Sequence, residues 1–461
     1  MSRKIKTLII SLGVLVLLGG GYYGSTIYKK KKDAVPPYSN TPSIRLGNLE
    51  SSKLVKIEVP GIVLEKKGNV WELVSLKGSP PPAGIELDQS QISNMTYSMA
   101  SIFIDRIVDE EPADLSVYGL DKPSTQSAVT DSDGKTVHYI LGDMTPARTS
   151  YYIMEGGDPK VYIVSSYYGD NLHFSLDRIR IRSLFPDFDA TMLTGLRLGS
   201  STLIDISLKP KSARPYLASS FSTLVMTSPY KLPRGVDGEA LDKLIAPLKN
   251  LEIADFIDDN PSSLSSYGLD KPFRISLRTV DASLDLLVGN QIDGKFYAKL
   301  PNAPGVFTLN GLDPIVNVKT FPLIDKFALL MHIDKVDHLS ITGGERPLSA
   351  DFQGKGDDAI FFLDGKQVQD KSFRTWYQAV IGLLSDAEYP GPTQNPEGDG
   401  NRIIAIDFQL NTPPGEQASI TLIPYNRDFY ALLQEGTMEF LISRNQVRRI
   451  WETADSMVFE P

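Results

Sequence analysis

The chain contains no cysteine, and its 461 residues include only four histidines and three tryptophans. Without a thiol it can form no disulfide, thiolate metal site or cysteine nucleophile. The histidines show no zinc-binding spacing such as His-Glu-x-x-His. The sequence also lacks Gly-x-Ser-x-Gly, Ser-x-x-Lys with its partner motifs, and a phosphate-binding Gly-rich Lys-Ser/Thr loop. We therefore expect no catalytic residue, no cofactor and no metal, and a protein that is not an enzyme.

Acidic residues outnumber basic residues outside the N-terminal segment. Residues 1–32 hold seven of the 47 basic residues and none of the 56 acidic ones, which leaves 40 basic residues against 56 acidic in the remainder. A net charge of −16 there disfavours nucleic acid as a partner, because phosphate backbones are bound through clustered Lys and Arg. It also repels an anionic membrane, except at Lys29–Lys32, which can lie among lipid headgroups.

A charge-free stretch of 22 residues, Thr7–Tyr28, begins shortly after the N-terminus. About 20 apolar residues span a bilayer as a helix, so the stretch predicts a single-pass anchor. A cleaved signal peptide with Leu8–Leu18 as its apolar core is the alternative, but no Ala-x-Ala-type site follows. The four lysines after the span favour a cytoplasmic location for that side. However, long domains translocate largely regardless of flanking charge, so we expect the bulk of the chain outside the cytoplasm.

One hexapeptide occurs twice without change, 149 residues apart (267 minus 118). Its two copies are Tyr118, Gly119, Leu120, Asp121, Lys122, Pro123 and Tyr267, Gly268, Leu269, Asp270, Lys271, Pro272. Helix-like stretches precede the copies, at Leu87–Val108 and Asp237–Phe256, and four strand-like runs follow each. Arg45-Leu46-Gly47 also matches Arg197-Leu198-Gly199 ahead of a strand. A repeat of this length indicates a duplicated domain.

The remaining third of the chain repeats the order of elements without the hexapeptide. Tyr389-Pro390-Gly391-Pro392 and a polar loop, Thr393–Asn401, stand in its place. A chain of this length agrees with three domains of about 150 residues. The predicted organisation is a short cytoplasmic N-terminus (1–6), the anchor (7–28), a linker (29–43), and three units at 44–192, 193–330 and 331–461.

The predicted fold class is α+β, with each unit a helix packed on a mainly antiparallel sheet. Apolar residues recur at helical spacing in each unit, and Pro247 predicts a kink in the second helix. The strands alternate in polarity and are joined by turns such as Asp133-Gly134, which favours antiparallel pairing.

The hexapeptide itself has two interpretations. As a structural joint, Gly119 and Gly268 supply positive φ, Leu120 and Leu269 fill the core, and Asp121 and Asp270 accept backbone hydrogen bonds. As a ligand-binding loop, Tyr118, Asp121 and Lys122 face a pocket. The joint is favoured, because the third unit lacks the motif.

Three further features admit a binding role. The acidic cluster between Asp105 and Asp114 and the turn at Asp131–Gly134 could hold calcium, although a solvated helix end and a hairpin turn explain them more simply. The pairs Tyr151-Tyr152 and Tyr167-Tyr168 could stack on sugars, and sheet packing explains them equally well.

The order of these features resembles the bacterial domain-of-unknown-function 4340 family. The resemblance rests on Trp71-Glu72-Leu73, the helix, the acidic exit, the Tyr-Gly-Leu-Asp-Lys-Pro motif and Leu141-Gly142 followed by Tyr151-Tyr152, and it covers the first two units. It implies a membrane anchor and a link to auxiliary components of ABC-type exporters, and it assigns no catalytic residue.

We therefore expect a noncatalytic, membrane-anchored, extracytoplasmic binding or scaffolding protein with a membrane-protein or transporter partner. An extracytoplasmic protein that binds an envelope glycan or lipid is the alternative. An envelope enzyme of unknown reaction is the second alternative.

Overall fold

The computed structural model describes residues 44–123, 125–186, 188–201, 203–211, 221–392, 402–411 and 416–461. They form two compact units: one contains the described residues up to Pro81 with those of Leu87–Ile179, and the other contains Pro82–Glu86 with the described residues of Arg180–Pro461. The predicted span Thr7–Tyr28, the linker 29–43 and the loop Thr393–Asn401 lie outside the described residues. No helix in the described ranges has the length and apolar composition needed to cross a bilayer.

The first compact unit contains one eight-stranded sheet and a separate two-stranded pair. The strands are β1 (Arg45–Leu46), β2 (Leu54–Val59), β3 (Ile62–Lys67), β4 (Val70–Leu76), β5 (Ile102–Phe103), β6 (Arg106–Asp109), β7 (Thr125–Asp131), β8 (Thr136–Met144), β9 (Ser150–Glu155) and β10 (Val161–Ser165). The helices are α1 (Gln89–Ala100) and α2 (Ser166–Asn171). The large sheet has the order β4-β3-β2-β7-β8-β9-β10-β6, and β1 pairs with β5.

The second compact unit contains two nine-stranded sheets. The first of them is built from β11 (Leu193–Gly199), β12 (Ile204–Leu208), β13 (Leu224–Ser228), β14 (Arg234–Gly235), β15 (Ile253–Asp258), β16 (Phe273–Thr279), β17 (Ser283–Ile292), β18 (Lys295–Lys299) and β19 (Val306–Asn310), with helices α3 (Gly238–Ile245) and α4 (Asp313–Val316). Its order is β14-β13-β12-β11-β16-β17-β18-β19-β15.

The other sheet of this unit follows the same plan. Its elements are β20 (Val336–Thr342), β21 (Leu348–Gln353), β22 (Ile360–Leu363), β23 (Lys366–Val368), α5 (Asp370–Ile381), β24 (Ala387–Glu388), β25 (Ile404–Leu410), β26 (Gln417–Pro424), β27 (Phe429–Gln434), β28 (Thr437–Ser443) and α6 (Arg444–Asp455). Its order is β23-β22-β21-β20-β25-β26-β27-β28-β24.

The three large sheets therefore share one topology. In each, a first meander leads into a helix, the next strand pairs at the far edge, and a second meander of four strands fills the space between. Every strand pair among the described residues is antiparallel, as in β2 with β7, β11 with β16 and β20 with β25. The predicted α+β class with antiparallel pairing is confirmed.

The predicted helices at Leu87–Val108 and Asp237–Phe256 are too long. Helix α1 ends at Ala100, and the chain continues as β5 and β6. Helix α3 ends at Ile245, tightens into a 3₁₀ turn that contains Pro247, and continues as β15. Pairing with a neighbouring strand decides the conformation of the β-branched residues that follow each helix, although their spacing fits a helix.

The predicted match of Arg45-Leu46-Gly47 to Arg197-Leu198-Gly199 is wrong at the level of topology. Among the described strands, β1 pairs only with β5, whereas Arg197 lies within β11, between β12 and β16. The strand that takes this central place in the first sheet is β2. A tripeptide match is too short to set register, which depends on the pairing of the whole strand.

The helices that follow the first meanders bury their apolar stripes. Ile92, Met95 and Met99 of α1 are buried, and the Tyr139 hydroxyl donates a hydrogen bond of 2.8 Å to the Met99 carbonyl. Asp88 caps α1 by accepting from the N–H groups of Ser90 and Gln91, and the hydrogen bond from the Ser90 hydroxyl lowers the pKa of Asp88. In α5, the Phe373 ring stacks on Phe361 at 4.3 Å.

A buried arginine joins the two sheets of the second compact unit. Arg234 of β14 donates to the Gln434 side-chain oxygen at 2.8 Å and to the Glu439 carboxylate at 3.4 Å, and it lies 4.6 Å above the Phe440 ring. The side chains of Arg234 and Glu439 are only 7% and 11% exposed. Nearby, the Tyr230 hydroxyl donates to Glu388 at 2.6 Å. The two charges are paired, and this pairing fixes one sheet against the other.

We expect Arg234→Met to lower the free energy of unfolding of the second compact unit by about 3–5 kcal/mol, because Glu439 would stay buried without its counter-charge. Urea titration followed by the fluorescence of Trp376 and Trp451 measures the change. The matched control is Arg197→Met, which breaks a pair with Asp205 in which the Arg197 side chain is 65% exposed, and it should cost at most about 1 kcal/mol. Equal losses in the two variants would contradict this role for Arg234.

Candidate functional site

Both hexapeptides lie in segments that carry the chain from the edge strand back to the middle of the sheet. We call residues 115–123 and 264–272 the first and second crossover segments. Each begins with a 3₁₀ turn, Leu115–Tyr118 or Ser265–Tyr267, and leaves it through a glycine in the left-handed region, with φ of 67° at Gly119 and 69° at Gly268. Because L-residues with a Cβ disfavour this conformation, glycine is required there.

The backbone hydrogen bonds of the two segments correspond one to one. The Gly119 and Leu120 N–H groups donate to the Ser116 and Leu115 carbonyls at 3.1 and 3.0 Å. In the second segment, Gly268 and Leu269 donate to the Ser265 and Leu264 carbonyls at the same two distances. The segments are thus the same local structure placed in two sheets.

The tyrosine of each segment contacts two strands of its sheet. The Tyr118 hydroxyl donates to Asp109 of β6 at 3.1 Å, and its ring packs edge-on against Tyr152 of β9 at 5.1 Å. Tyr267 repeats both contacts with Asp258 of β15 and Tyr297 of β18, at 3.1 and 5.1 Å. Partial burial, together with the neighbouring carboxylate, raises the pKa of Tyr118 and of Tyr267.

The leucine of each crossover segment and a glycine in the strand beneath it determine how closely the segment packs on the sheet. Leu120 and Leu269 are buried, at 4% and 3% exposure. A Cβ on Gly142 of β8 would lie 2.2 Å from the Tyr118 carbonyl oxygen, and one on Gly289 of β17 would lie 2.1 Å from that of Tyr267. Side chains alternate along a strand, so Gly142 faces away from Leu141 and Tyr139, the residue that contacts α1. The crossover segment therefore covers the face opposite the helix.

The charged residues of the hexapeptides point to solvent. Asp121, Lys122, Asp270 and Lys271 are exposed and form no hydrogen bond or ion pair with other described residues. The predicted backbone hydrogen bonds to Asp121 and Asp270 are therefore absent from the described part of the chain. The turn is closed by main-chain hydrogen bonds instead. Pro272 stands directly before β16, and Pro123 lies two residues before β7.

In both candidate calcium sites, aspartate carboxylates accept local hydrogen bonds. Asp131 accepts from the N–H groups of Asp133 and Lys135, at 3.0 and 2.9 Å, in the hairpin between β7 and β8. Asp109 accepts from the Glu111 N–H as well as from Tyr118. Within the described ranges, no group of three or more histidine, aspartate or glutamate side chains is placed to hold a metal ion.

The tyrosine pairs differ in their use. Tyr152 packs on Tyr118, and the Tyr151 hydroxyl donates to Asp170 at 3.0 Å. Tyr167 is 57% exposed. Of these residues, Tyr167 is the one whose ring faces solvent broadly.

Sequence reasoning missed a cavity in the second compact unit. Its volume is about 440 Å³, within the range of small-molecule sites. Its lining includes Leu330, Met331, Ile333, Tyr377 and Ile381, with Lys335 and Arg374 among the polar groups. Helix α5 supplies part of this wall and the segment before β20 another, so only the tertiary fold brings the residues together.

We expect Gly142→Ala and Gly289→Ala each to destabilise their sheets by about 1–3 kcal/mol, because the new methyl group must displace a backbone carbonyl. Thermal and urea unfolding measure the loss. The matched control is Gly238→Ala in the first turn of α3, where no atom beyond the adjacent residues and the helix's own backbone lies within 4 Å of the added Cβ. That variant should be neutral or up to about 1 kcal/mol more stable. Wild-type stability of both strand variants would rule out the close crossing.

A family described as "Domain of unknown function (DUF4340)" matches residues 48–219 and 225–376, together more than half of the chain. The two matched segments contain the first and second crossover segments. No curated protein and no solved structure matches the chain. The resemblance predicted from the hexapeptide is thus confirmed, and the chain belongs to the DUF4340 family.

Proposed function

We propose that the protein is a noncatalytic binding or scaffolding module, built from three copies of one unit and tethered outside the cytoplasm by Thr7–Tyr28. The observation that carries the proposal is the use made of the repeated motif. Tyr118 and Tyr267 hold edge strands, and Leu120 and Leu269 are buried, so the most repeated feature of the chain supports a crossover. The motif therefore has a structural role in each sheet. Each repeated sheet then provides a separate surface to which a partner can bind.

The arrangement suits weak contacts at several places. Two of the sheets are joined in one compact unit by the buried Arg234 cluster, so their surfaces keep a fixed spacing. A membrane tether confines all three copies near other membrane proteins. Linked weak contacts can then reach a useful avidity without any single tight site.

The proposed partner is a membrane protein, and an ABC-type exporter is the specific candidate. The acidic character of the chain beyond residue 32 disfavours binding to nucleic acid or to an anionic lipid surface over its whole area. The link to exporters rests on the family resemblance alone and is an association, since a fold does not fix a function.

The absence of cysteine makes the proposed topology directly testable. We expect Val70→Cys, an exposed position of β4, to react with a membrane-impermeant maleimide in intact spheroplasts, because the units face outward. The matched control is Ser2→Cys, which should react only after lysis. Labelling of Ser2→Cys alone in intact spheroplasts would place the units in the cytoplasm and reject the proposal.

Purification of the full chain from native membranes in a mild detergent tests the partner. We expect an integral membrane protein to co-elute in constant ratio and to be identified by mass spectrometry. A matched preparation cleaved between the tether and the first unit should lose the partner, because the avidity depends on confinement. Elution of the full chain alone, with turnover of an envelope compound by the purified protein, would replace the proposal with an enzyme.

The cavity beside α5 favours one second candidate, an extracytoplasmic protein that binds an envelope lipid or glycan. Its apolar wall with Lys335 and Arg374 nearby suits an amphiphile better than a sugar. Native mass spectrometry of the protein from its own membranes would then show a constant added mass. Ile381→Trp, which fills the cavity, should remove that mass, and an exposed change such as Val280→Trp should leave it.

A further inference from the structure

Exposed aromatic side chains gather where the described chain enters the first compact unit. We call Ile44, Arg45, Tyr97, Phe103, Tyr167 and Tyr168 the aromatic surface. Tyr97 is 73% exposed and Tyr167 57%, and the exposed fractions of Ile44 and Phe103 are 47% and 37%. Tyr168 is half-buried. Single exposed apolar residues are ordinary, but a contiguous group of them marks an interaction site.

Three structural links hold the aromatic surface together. Pairing of β1 with β5 sets Arg45 opposite Phe103, and the guanidinium lies 4.0 Å above the Phe103 ring. The Phe103 and Tyr168 rings are 6.4 Å apart, and the Tyr167 and Tyr168 rings 5.2 Å apart.

Helix α2 is in turn fixed to α1. The Asn171 side-chain amide donates to the buried Ser98 hydroxyl at 2.7 Å, one residue after Tyr97. The surface is therefore built on two helices and a strand pair that support one another.

Its composition fits the headgroup region of a bilayer. Tyrosine combines an apolar ring with a polar hydroxyl group and is enriched at that depth, and the Phe103 ring adds apolar area. A guanidinium binds phosphate through several donors at once. Arg45 can turn from the Phe103 ring to a lipid phosphate while its stem stays on the apolar surface.

Chain connectivity brings this surface to the membrane before any other part of the unit. Residues 29–43 separate the end of the predicted span at Tyr28 from Ile44, and four of these 15 residues are lysines. Even fully extended, such a segment reaches at most about 55 Å. Ile44 is itself part of the aromatic surface, so the linker joins the proposed membrane span directly to this surface.

We propose that the aromatic surface rests on the phospholipid headgroups of the membrane that anchors the chain, with its rings in the interface and Arg45 on lipid phosphate. The inference rests on the proposed tether and adds an orientation to it. The first compact unit is then held against the bilayer by the aromatic surface as well as by the tether.

The test uses the full chain in nanodiscs of phosphatidylcholine and phosphatidylglycerol. Tyr167→Cys carries a nitroxide label, with labelled Val70→Cys as the matched control, since Val70 is 51% exposed and begins β4, the edge strand opposite β6. We expect the ratio of oxygen to nickel-chelate collision rates to be severalfold higher at position 167 than at position 70. Adding Tyr97→Ser and Arg45→Glu to Tyr167→Cys should reduce the ratio to that of the control, while circular dichroism stays unchanged.

Each other outcome overturns the inference in a distinguishable way. If the chain enters nanodiscs but both labels report water, the surface does not bind lipid and the tether stands. If the label at position 167 broadens only when two copies share a disc, the surface binds a second copy. If the chain does not enter nanodiscs at all, the tether and the surface assignment fail together.

Discussion

The return of the chain from the sheet edge to the sheet centre is the constraint on which each sheet depends. Strand β6 pairs with β10, yet the next strand, β7, pairs with β2 and β8. The connection must pass β10, β9 and β8, four strand spacings or about 19 Å in all. The connection must also pack closely enough on the sheet to bury its leucine side chain. Gly142 and Gly289 make this possible, because any side chain there would meet the carbonyl of Tyr118 or Tyr267.

The constraint explains the residue types of the hexapeptide in order. The tyrosine contacts both the edge strand (β6) and the third strand from that edge (β9), and the glycine ends the 3₁₀ turn. The leucine packs on the face of the sheet, and the proline prevents helical geometry before the next strand. Fully burying a leucine contributes about 1.5–3 kcal/mol, whereas an exposed ion pair contributes at most about 1. The apolar and steric contacts therefore dominate, since Asp121 and Lys122 are exposed and no hydrogen bond or ion pair joins them to another described residue.

Some of this could be predicted from sequence and some could not, for physical reasons. The repeat, the α+β class and the antiparallel pairing depend on local patterns, and those predictions are confirmed. The positions at which α1 and α3 end depend on which strand the following residues pair with. Ile102 and Phe103 continue the helical spacing of apolar residues in α1, but this spacing contains no information about their pairing with β1. The Arg234 cluster brings together residues 200 positions apart, and the cavity beside α5 combines that helix with the segment before β20. No short window of sequence contains that information.

The third sheet shows that the crossover does not need the hexapeptide. After β24, the Tyr389 N–H donates to the Glu439 carbonyl at 2.7 Å, and the Tyr389 ring packs edge-on against Tyr425 at 5.8 Å. Tyr389 is followed by Pro390, Gly391 and Pro392 and not by the Gly-Leu-Asp-Lys-Pro of the other two crossover segments. A requirement met by two different sequences is a requirement of the fold. The copies differ in what each sheet adds around the common plan: the β1–β5 pair with its aromatic residues in the first, and the long helix α6 in the third.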